Sequence, residues 1–334
     1  MHRNLQPRRR LVLLVAGLVA LVLPVAVGQS ATASAPASAP TSASLHVHRH
    51  AKPVTWHVTV GAETPTMAVS AMSFLPREVW INKGDTVHWT AGSAEPHTVT
   101  FLAPGTSLPT FNPFDPNQTM KRGTHRYNGT KYTNSGIIAT QPIFVFTHPV
   151  KSYDLTFTKK GNFTYYCLLH GVMMKGMVHV RAAGTPYPYT QRDYNRVGHH
   201  QARVLLHDGK VAWRQARRAH PVTGHQVQVG IDGNGFAVMR FIRSHSVIHV
   251  GETVTFSVAG PGAPHTVTFG KEPAGLGILK PSGDPKHFGG GDLNSGVLAP
   301  GKPFTVTFTK AGRFSYICAI HDGMGMVGNV LVKP

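Results

Sequence analysis

The chain has 334 residues, of which 41% are apolar, a length that allows two ordinary domains that each bury their own core. Its formal net charge is +19, from 33 Lys and Arg against 14 Asp and Glu, so acid–base catalysis has few candidate carboxylates. No nucleic-acid-binding motif is present, and the basic charge therefore favours an anionic cell surface or an acidic protein as a partner.

The first 28 residues are typical of a secretory signal peptide. Arg3 and the arginines at 8–10 form a basic segment, an apolar run covers residues 11–27, and small residues at 26–28 provide a cleavage site. Removal of this segment lowers the net charge from +19 to +15, because it carries four arginines and no acid. An uncleaved membrane anchor is the alternative, since the apolar run is near the shortest length that spans a bilayer. Both interpretations predict an extracytoplasmic folded part.

Residues 29–52 are rich in Ser, Ala and Pro, a composition that predicts a flexible tether. The tether ends in the run LHVHRH, which contains His46, His48 and His50.

Two long segments then occur twice in the same order. NKGDTVHWTAGSAEPHTVTF (82–101) parallels HVGETVTFSVAGPGAPHTVTF (249–269), and LTFTKKGNFTYYCLLH (155–170) parallels VTFTKAGRFSYICAIH (306–321). Repeats this long indicate a duplicated domain rather than a short solenoid unit. We assign the two copies to residues 53–182 and 225–334.

Strands in each copy show the alternation of a half-buried sheet. Val254, Phe256 and Val258 alternate with polar neighbours, and Gly, Pro and Asn mark the turns between such runs. This pattern predicts an all-β fold of two sandwiches of antiparallel strands. The segment between the copies, residues 183–224, is basic and irregular, and RVLLHDGKVAW within it predicts a small hairpin that turns on Asp208 and Gly209.

Each copy repeats one set of metal-binding side chains. A His begins one strand, a Cys ends another, a second His follows the Cys after two residues, and a Met comes next. The paired residues are His97 and His265, Cys167 and Cys318, and His170 and His321. Two imidazoles and a thiolate with a weak axial thioether are the ligands of a type 1 copper centre, whereas zinc would gain little from the Met.

In these residues the chain resembles the cupredoxins, the plastocyanin and azurin family of blue copper proteins. The resemblance implies two tandem Greek-key β-sandwiches that each bind one copper ion (Cu+/Cu2+). CAIHDGMGMVGNVLV (318–332) follows the plastocyanin-like spacing of Cys, two residues, His, four residues, Met. By that match the second site consists of His265, Cys318, His321 and Met326, while Met324 packs the loop.

The first copy departs from this spacing, because Lys175 stands five residues after His170. HGVMMKGMVHV instead resembles the azurin ending, in which Met-Lys-Gly begins four residues after the His. This match selects Met174 as the axial ligand, beside His97, Cys167 and His170. Met177 is the alternative, since it aligns with Met326 if the loop carries a two-residue insertion.

Multicopper oxidases and copper nitrite reductases couple type 1 copper to a second copper site through a His adjacent to the Cys. Here Tyr166 and Leu168 flank one Cys, and Ile317 and Ala319 flank the other. We therefore predict an electron carrier and no enzyme, with a redox partner protein and no small-molecule substrate or nucleic acid.

The resemblance also implies that His170 and His321 lie near the surface, each in an apolar patch where a partner docks. The predicted patches comprise Leu168, Leu169, Val172 and Met173 in the first copy, and Ile320, Met324 and Val327 in the second. Copper scavenging, storage or resistance is the alternative function. It would use the tether histidines, the pair His199–His200, and the methionines at 173, 174 and 177.

Overall fold

The computed structural model describes residues 52–142, 146, 148–219, 225–260 and 262–334. The predicted signal peptide and nearly all of the tether, including its three histidines, lie outside these residues. Among the helices described, none combines the length and the apolar character that a membrane crossing requires. The two repeated domains belong to one compact unit.

The first domain consists of short strands, most of them rich in β-branched and aromatic residues. Its elements are β1 (Thr55–Glu63), β2 (Val69–Leu75), β3 (Glu78–Asn82), β4 (Thr86–Ala91), β5 (Thr100–Phe101), α1 (Pro116–Thr119), β6 (Lys121–Arg122), β7 (Arg126–Tyr127), β8 (Thr133–Ser135), β9 (Ser152–Phe157), β10 (Gly161–Cys167) and β11 (Gly171–Arg181).

A long helix, α2 (Gln191–Arg218), separates the two domains. The second domain repeats the strand order of the first. Its strands are β12 (His225–Gly233), β13 (Phe236–Ile242), β14 (His245–His249), β15 (Thr253–Ser257), β16 (Thr268–Phe269), β17 (Pro281–Ser282), β18 (Leu293–Ser295), β19 (Phe304–Thr307), β20 (Gly312–Ile317) and β21 (Val327–Lys333), with short 3₁₀ turns at Gly275–Leu279 and Asp322–Met324.

Three sheets build the two sandwiches. One sheet has the order β3-β11-β10-β5-β8-β6 and belongs to the first domain, and its counterpart β14-β21-β20-β16-β18-β17 belongs to the second. The third sheet is shared, in the order β19-β15-β12-β13-β2-β1-β4-β9-β7. The all-β prediction and the tandem sandwiches are confirmed.

Each sandwich encloses an aromatic core. In the first domain the Trp89 and Tyr165 rings meet edge to face at 5.3 Å, and in the second Phe256 and Tyr316 do so at 5.1 Å. All four side chains are fully buried, so each domain has its own apolar centre. Cys167 is the last residue of β10 and Cys318 follows β20 directly. Both cysteines belong to the buried core of their domain.

The domains join where β2 pairs with β13. The antiparallel register brings Ala71 opposite Phe236 and Val69 opposite Val238, which makes the two outer sheets continuous. Every residue of β2 is buried, because β1 and β13 flank it and α2 contacts it. The core cluster of the first domain also reaches across the junction to residues of the second, namely Ala237, Met239, Ala263 and Met324.

Arg240 adds a polar connection across this junction. Its Nη1 donates to the carbonyl oxygen of Met324 at 2.7 Å, and its Nη2 donates to that of Thr66 at 2.6 Å. The Met324 carbonyl belongs to the loop that follows His321. The guanidinium therefore ties this loop of the second domain to the first domain.

The predicted hairpin on Asp208 and Gly209 is wrong, since both residues lie within α2. The helix begins at a capping box, in which the Thr190 hydroxyl accepts from the Asp193 amide at 3.2 Å and the Asp193 carboxylate accepts from the Thr190 amide at 3.0 Å. Arginines in its last turn complement the helix dipole.

The glycines of α2 serve close packing rather than a turn. Tyr194, Gly198, Leu205 and Gly209 form its buried face. A Cβ at Gly198 would lie 3.0 Å from the carbonyl carbon of Leu75, and one at Gly209 would lie 2.3 Å from a methyl carbon of Val69. The Asp-Gly pair therefore led to a wrong prediction, because the sequence does not distinguish a glycine at a tight helix–sheet contact from a glycine in a turn.

We expect Gly198→Val to destabilise the protein, because the neighbouring atoms at Leu75 and Pro76 belong to the backbone and cannot move aside. The free energy of unfolding, measured by urea titration, should fall by about 1–3 kcal/mol, as for other overpacked contacts. Arg203→Val introduces the same side chain at an exposed position of the same helix and should change the stability by less than about 0.5 kcal/mol. Equal stability of the two variants would contradict the packing of α2 on β2.

Candidate metal centre

The ligand candidates of the first domain come from neighbouring strands at one end of the sandwich. His97 precedes β5, and its amide donates to the Ile138 carbonyl oxygen at 3.0 Å. Cys167 is the last residue of β10, and His170 lies in the turn before β11. Strand pairing of β5 with β10 brings these segments side by side. All three side chains are buried.

The three side chains of the first domain point their donor atoms at one another. Cys167 Sγ lies 3.3 Å from His170 Nδ1 and 3.8 Å from His97 Nδ1, and the two Nδ1 atoms are 3.2 Å apart. The structure therefore brings together the Cys and both His that the sequence predicted for this site.

The second domain repeats this geometry. Cys318 Sγ lies 3.5 Å from His321 Nδ1 and 3.7 Å from His265 Nδ1, and the two Nδ1 atoms are 3.1 Å apart. Cys318 follows the last residue of β20 directly and so has a position equivalent to Cys167 at the end of β10. These two triads are the groups of metal-ligand side chains found in the described part of the chain.

The size of each triad suits a small soft or borderline metal ion. A point equally distant from the three donor atoms lies about 2 Å from each, close to the metal–nitrogen and metal–thiolate bond lengths of about 2.0–2.3 Å. One thiolate and two imidazoles are also the donors of trigonal copper sites. The residues present therefore fit the copper ion that the sequence predicts.

Each thiolate also receives a backbone hydrogen bond. The Thr98 amide donates to Cys167 Sγ, and the Thr266 amide donates to Cys318 Sγ, both at 3.4 Å. Such N–H groups favour the anionic sulfur that a metal ion requires. Both cysteines are free thiols.

The electrostatics of the triads favour thiolate over thiol. Burial would raise the pKa of Cys167, but the neighbouring His170 and His97 lower it well below its usual range. Cys318 has a lowered pKa for the same reason, with His321 and His265 as neighbours. In the metal-free protein each thiolate therefore has an imidazolium partner, and metal binding replaces that proton.

The methionine candidates fall on opposite faces of β11. Met174 is buried in the core of the first domain, together with the inward residues Gly176 and Val178. Met177 lies on the opposite face of the strand and is partly exposed. In the sheet it pairs with Thr164 and Glu78. The alternation of side chains along a strand therefore favours Met174 over Met177 as the axial ligand, an assignment that stays a prediction.

In the second domain Met326 is fully buried in that domain's core, and its carbonyl oxygen accepts from the Cys318 amide at 3.0 Å. Met324 is also fully buried, but it packs in the core cluster of the first domain. Its role as a packing residue extends beyond its own loop, since it fills part of the junction between the domains.

The predicted surface position of the second histidines is wrong. His170 is 4% exposed and His321 is fully buried, because the ligand ends of the two sandwiches face each other across the domain junction. Of the predicted patch residues, Leu168, Ile320 and Met324 are likewise buried. Val172, Met173 and Val327 remain exposed. In a single domain this end would face solvent, and here the second domain covers it.

Sequence reasoning missed a buried acid between the two triads. Glu95 is 1% exposed, and its carboxylate contacts one histidine of each domain, His170 and His321. Burial would raise the pKa of Glu95, but the two imidazoles lower it. Burial would likewise lower the pKa of His170 and His321, but Glu95 and the thiolates raise both values to about 10. The sequence feature that could have revealed Glu95 is a charged residue at a position of the repeated motif where the second copy has Ala263.

The outer ring nitrogens of His97 and His265 differ in their surroundings. His97 Nε2 lies 3.0 Å from the Ser93 hydroxyl, whereas His265 Nε2 is buried and has no hydrogen-bond partner among the described residues. Glycines with positive φ pack directly against both rings: a Cβ at Gly61 would lie 2.6 Å from His97 Nε2, and one at Gly230 would lie 2.2 Å from His265 Nε2. Both positions therefore require glycine.

The sequence model of the copper-binding proteins of the plastocyanin/azurin family matches residues 62–181 and 225–333. Among curated proteins, the plastocyanin of Solanum crispum is 36% identical over 110 residues, which are 32% of this chain and 99% of that protein. Plastocyanin A′/A″ of Nicotiana tabacum is 33% identical over 110 residues, with the same coverage.

Solved structures of similar chains include two copper proteins. A copper(I) form of an amicyanin mutant matches at 20% identity and a TM-score of 0.24, covering 35% of this chain and 89% of that one. The oxidised plastocyanin of Dryopteris crassirhizoma matches at 26% identity and a TM-score of 0.23, covering 32% and 99%. The family assignment itself comes from the sequence match over both repeats. The chain belongs to the plastocyanin/azurin family of copper-binding proteins and carries two copies of the family's domain in tandem.

Proposed function

We propose that the protein is an extracytoplasmic blue copper protein that binds one copper ion in each domain and carries single electrons between redox partners. The observation that carries this proposal is the pair of buried triads, each with one thiolate and two Nδ1 atoms directed at one point. Support for the location comes from the basic and apolar residues at the N-terminus.

The residues that would hold copper are His97, Cys167, His170 and Met174 in the first domain, and His265, Cys318, His321 and Met326 in the second. When bound, copper supplies a reversible one-electron couple between Cu+ and Cu2+. The chain supplies a set of ligands that suits both states, since thiolate and thioether favour Cu+ and imidazole serves both.

The fold restrains these ligands. Each Cys ends a strand of a sheet, and its sulfur accepts a backbone N–H at 3.4 Å. The surrounding core is buried, so the ligands have little room to move and water has little access. A site that changes its geometry little between two oxidation states loses little energy to rearrangement, which favours fast electron transfer.

Partner proteins would reach the first centre from the β10–β11 turn. Val172 and Met173 stand two and three residues after His170, at the start of β11, and are 71% and 42% exposed. The positive net charge of the chain favours an acidic redox partner.

Copper scavenging is the second candidate, and it depends on histidines outside the triads. His199 and His200 are exposed and consecutive on α2, so their side chains point in different directions around the helix. The three tether histidines lie outside the described residues. The two functions therefore differ in the number of copper ions that each chain binds.

We expect copper loading to give close to two copper ions per chain and an intense visible thiolate-to-copper band. Cys318→Ser removes the thiolate of the second centre only, so the variant should bind about one copper ion and lose the share of the absorbance that belongs to that centre. Cys167→Ser should have the complementary effect. Elemental analysis and absorption spectra of the loaded proteins provide the measurement.

Deletion of residues 29–52 is the control for the scavenging alternative. An electron carrier should keep its two copper ions and its colour after the deletion. Binding of more than two copper ions, mostly colourless and lost with the deletion, would favour scavenging. An unchanged visible band in Cys318→Ser would contradict the ligand assignment itself.

We also expect the two methionines of β11 to differ in their effect on the first centre. Met174→Leu should remove a weak axial donor and change the visible and spin-resonance spectra of that centre, because the axial ligand tunes a type 1 site. Met177→Leu is the matched control and should leave both spectra unchanged, since its side chain lies on the other face of the strand. The reverse result would assign the axial position to Met177.

A further inference from the structure

The repeated sequence motifs differ just before their first histidine. The first copy reads Glu95-Pro96-His97, and the second reads Ala263-Pro264-His265. A duplicated domain thus has an acid in one copy and a methyl group in the other, at equivalent positions. The acid has a place in the tertiary structure that a single domain could not offer.

Glu95 connects the two triads through its two carboxylate oxygens. Oε1 lies 3.2 Å from Nε2 of His170, and Oε2 lies 3.1 Å from Nε2 of His321. These histidines belong to different domains. The side chains of all three residues are at most 1% exposed, so the connection contains no solvent-exposed atom.

Each hydrogen bond fixes the role of the opposite ring nitrogen. In both histidines Nδ1 faces the cysteine sulfur and Nε2 faces Glu95. A carboxylate can only accept, so Nε2 must be the nitrogen that donates its proton. Nδ1 then keeps its lone pair for a metal ion.

We propose that Glu95 is a positioning residue shared by both metal centres: it holds His170 and His321 in the tautomer that presents Nδ1 to the metal, and it couples the two centres electrostatically. This inference rests on the proposed function for the identity of the metal. Its structural content is the carboxylate bridge between the two domains.

A single acid suffices for both centres. The ion pairs of Glu95 in the described structure are those with His170 and His321. Ala263 is 5% exposed and packs in the core cluster of the first domain. A second carboxylate there would add another negative charge to the same buried junction, which is unfavourable unless it gains a cationic partner of its own.

The bridge also explains how one centre can influence the other. A buried carboxylate stabilises the more highly charged Cu2+ state relative to Cu+ at both centres. A change of charge at one centre changes how strongly Glu95 is drawn to that side, and therefore what it contributes to the other side. The two reduction potentials should consequently depend on each other.

Glu95→Gln in the full, copper-loaded chain tests the proposal. An amide has one acceptor oxygen and an NH2 group that cannot accept from an imidazole N–H, so one histidine loses its acceptor and both centres lose the negative charge. We expect both reduction potentials to rise, by unequal amounts. Spectroelectrochemistry measures them, and Cys167→Ser and Cys318→Ser backgrounds assign each potential to its centre.

The electrostatic coupling between the two centres can be measured separately. With Glu95 present, removing the first centre by Cys167→Ser should shift the potential of the second centre. With Glu95→Gln the same removal should shift it less. Unchanged potentials in Glu95→Gln, or a rise at one centre only, would overturn the shared role.

Glu63→Gln is the matched control. Glu63 is a partly buried carboxylate whose Oε2 accepts from the Ala94 amide at 3.1 Å, so it supports the same loop. This variant should shift both potentials much less than Glu95→Gln does. An effect equal to that of Glu95→Gln would assign the shifts to loop structure and overturn the proposal.

The tautomer can be measured without copper. In the zinc-loaded chain, ¹⁵N-resolved histidine spectra should show Nε2-protonated rings for His170 and His321, and Glu95→Gln should perturb both. Glu95→Asp keeps the charge but shortens the side chain and should perturb at least one of the two. Nδ1-protonated rings in the wild-type chain would overturn the proposal. A failure of the proposed function would instead appear as a wild-type protein that binds copper without the visible band.

Discussion

The pairing of β2 with β13 decides how the two sandwiches face each other, and the environment of both metal centres depends on it. The ladder makes the outer sheets continuous, while α2 contacts strands of both domains. The cores then meet across the junction, where Met324 of the second domain packs with residues of the first. As a result, the ends of the sandwiches that carry the metal ligands are covered by protein.

This burial brings charged groups together away from the solvent-exposed surface. Each triad holds a thiolate beside imidazoles, and Glu95 lies between His170 and His321. Buried charges are expensive unless they are paired and hydrogen-bonded, and here each charge has an opposite partner at hydrogen-bond distance. The bridge therefore gives the Glu95 carboxylate two hydrogen-bond partners and also restrains the two histidines.

Burial of the second histidines leaves other residues of the same segments at the surface. His170 and His321 are buried, whereas Val172, Met173 and Val327 nearby are exposed. These three residues lie at the start of β11 and β21, close along the chain to His170 and to Met326. The junction, by contrast, connects His170 to His321 through Glu95, and the side chains of these residues are at most 1% exposed.

The sequence by itself predicted the all-β fold, the duplication, and the Cys and two His that the structure brings together in each domain. The reason is that alternation, turn residues and the Cys-x-x-His spacing act over short stretches of chain, and a repeat of them in the same order removes most ambiguity. For the axial ligand the sequence left Met174 and Met177 open, and the alternation of buried and exposed side chains along β11 favours Met174. Local patterns failed for α2, because Gly198 and Gly209 allow close packing that no short window of sequence reveals.

The tertiary structure alone decided the burial of His170 and His321 and the role of Glu95. These features arise where residues from distant parts of the chain meet across two domains, and Glu95 is separated from His321 by 226 residues. A carboxylate next to a ligand motif looks like an ordinary surface acid until the fold excludes water from it. The physical reason is that desolvation and the placement of partner charges depend on the whole packed structure, whereas ligand spacing is fixed by a few neighbouring residues.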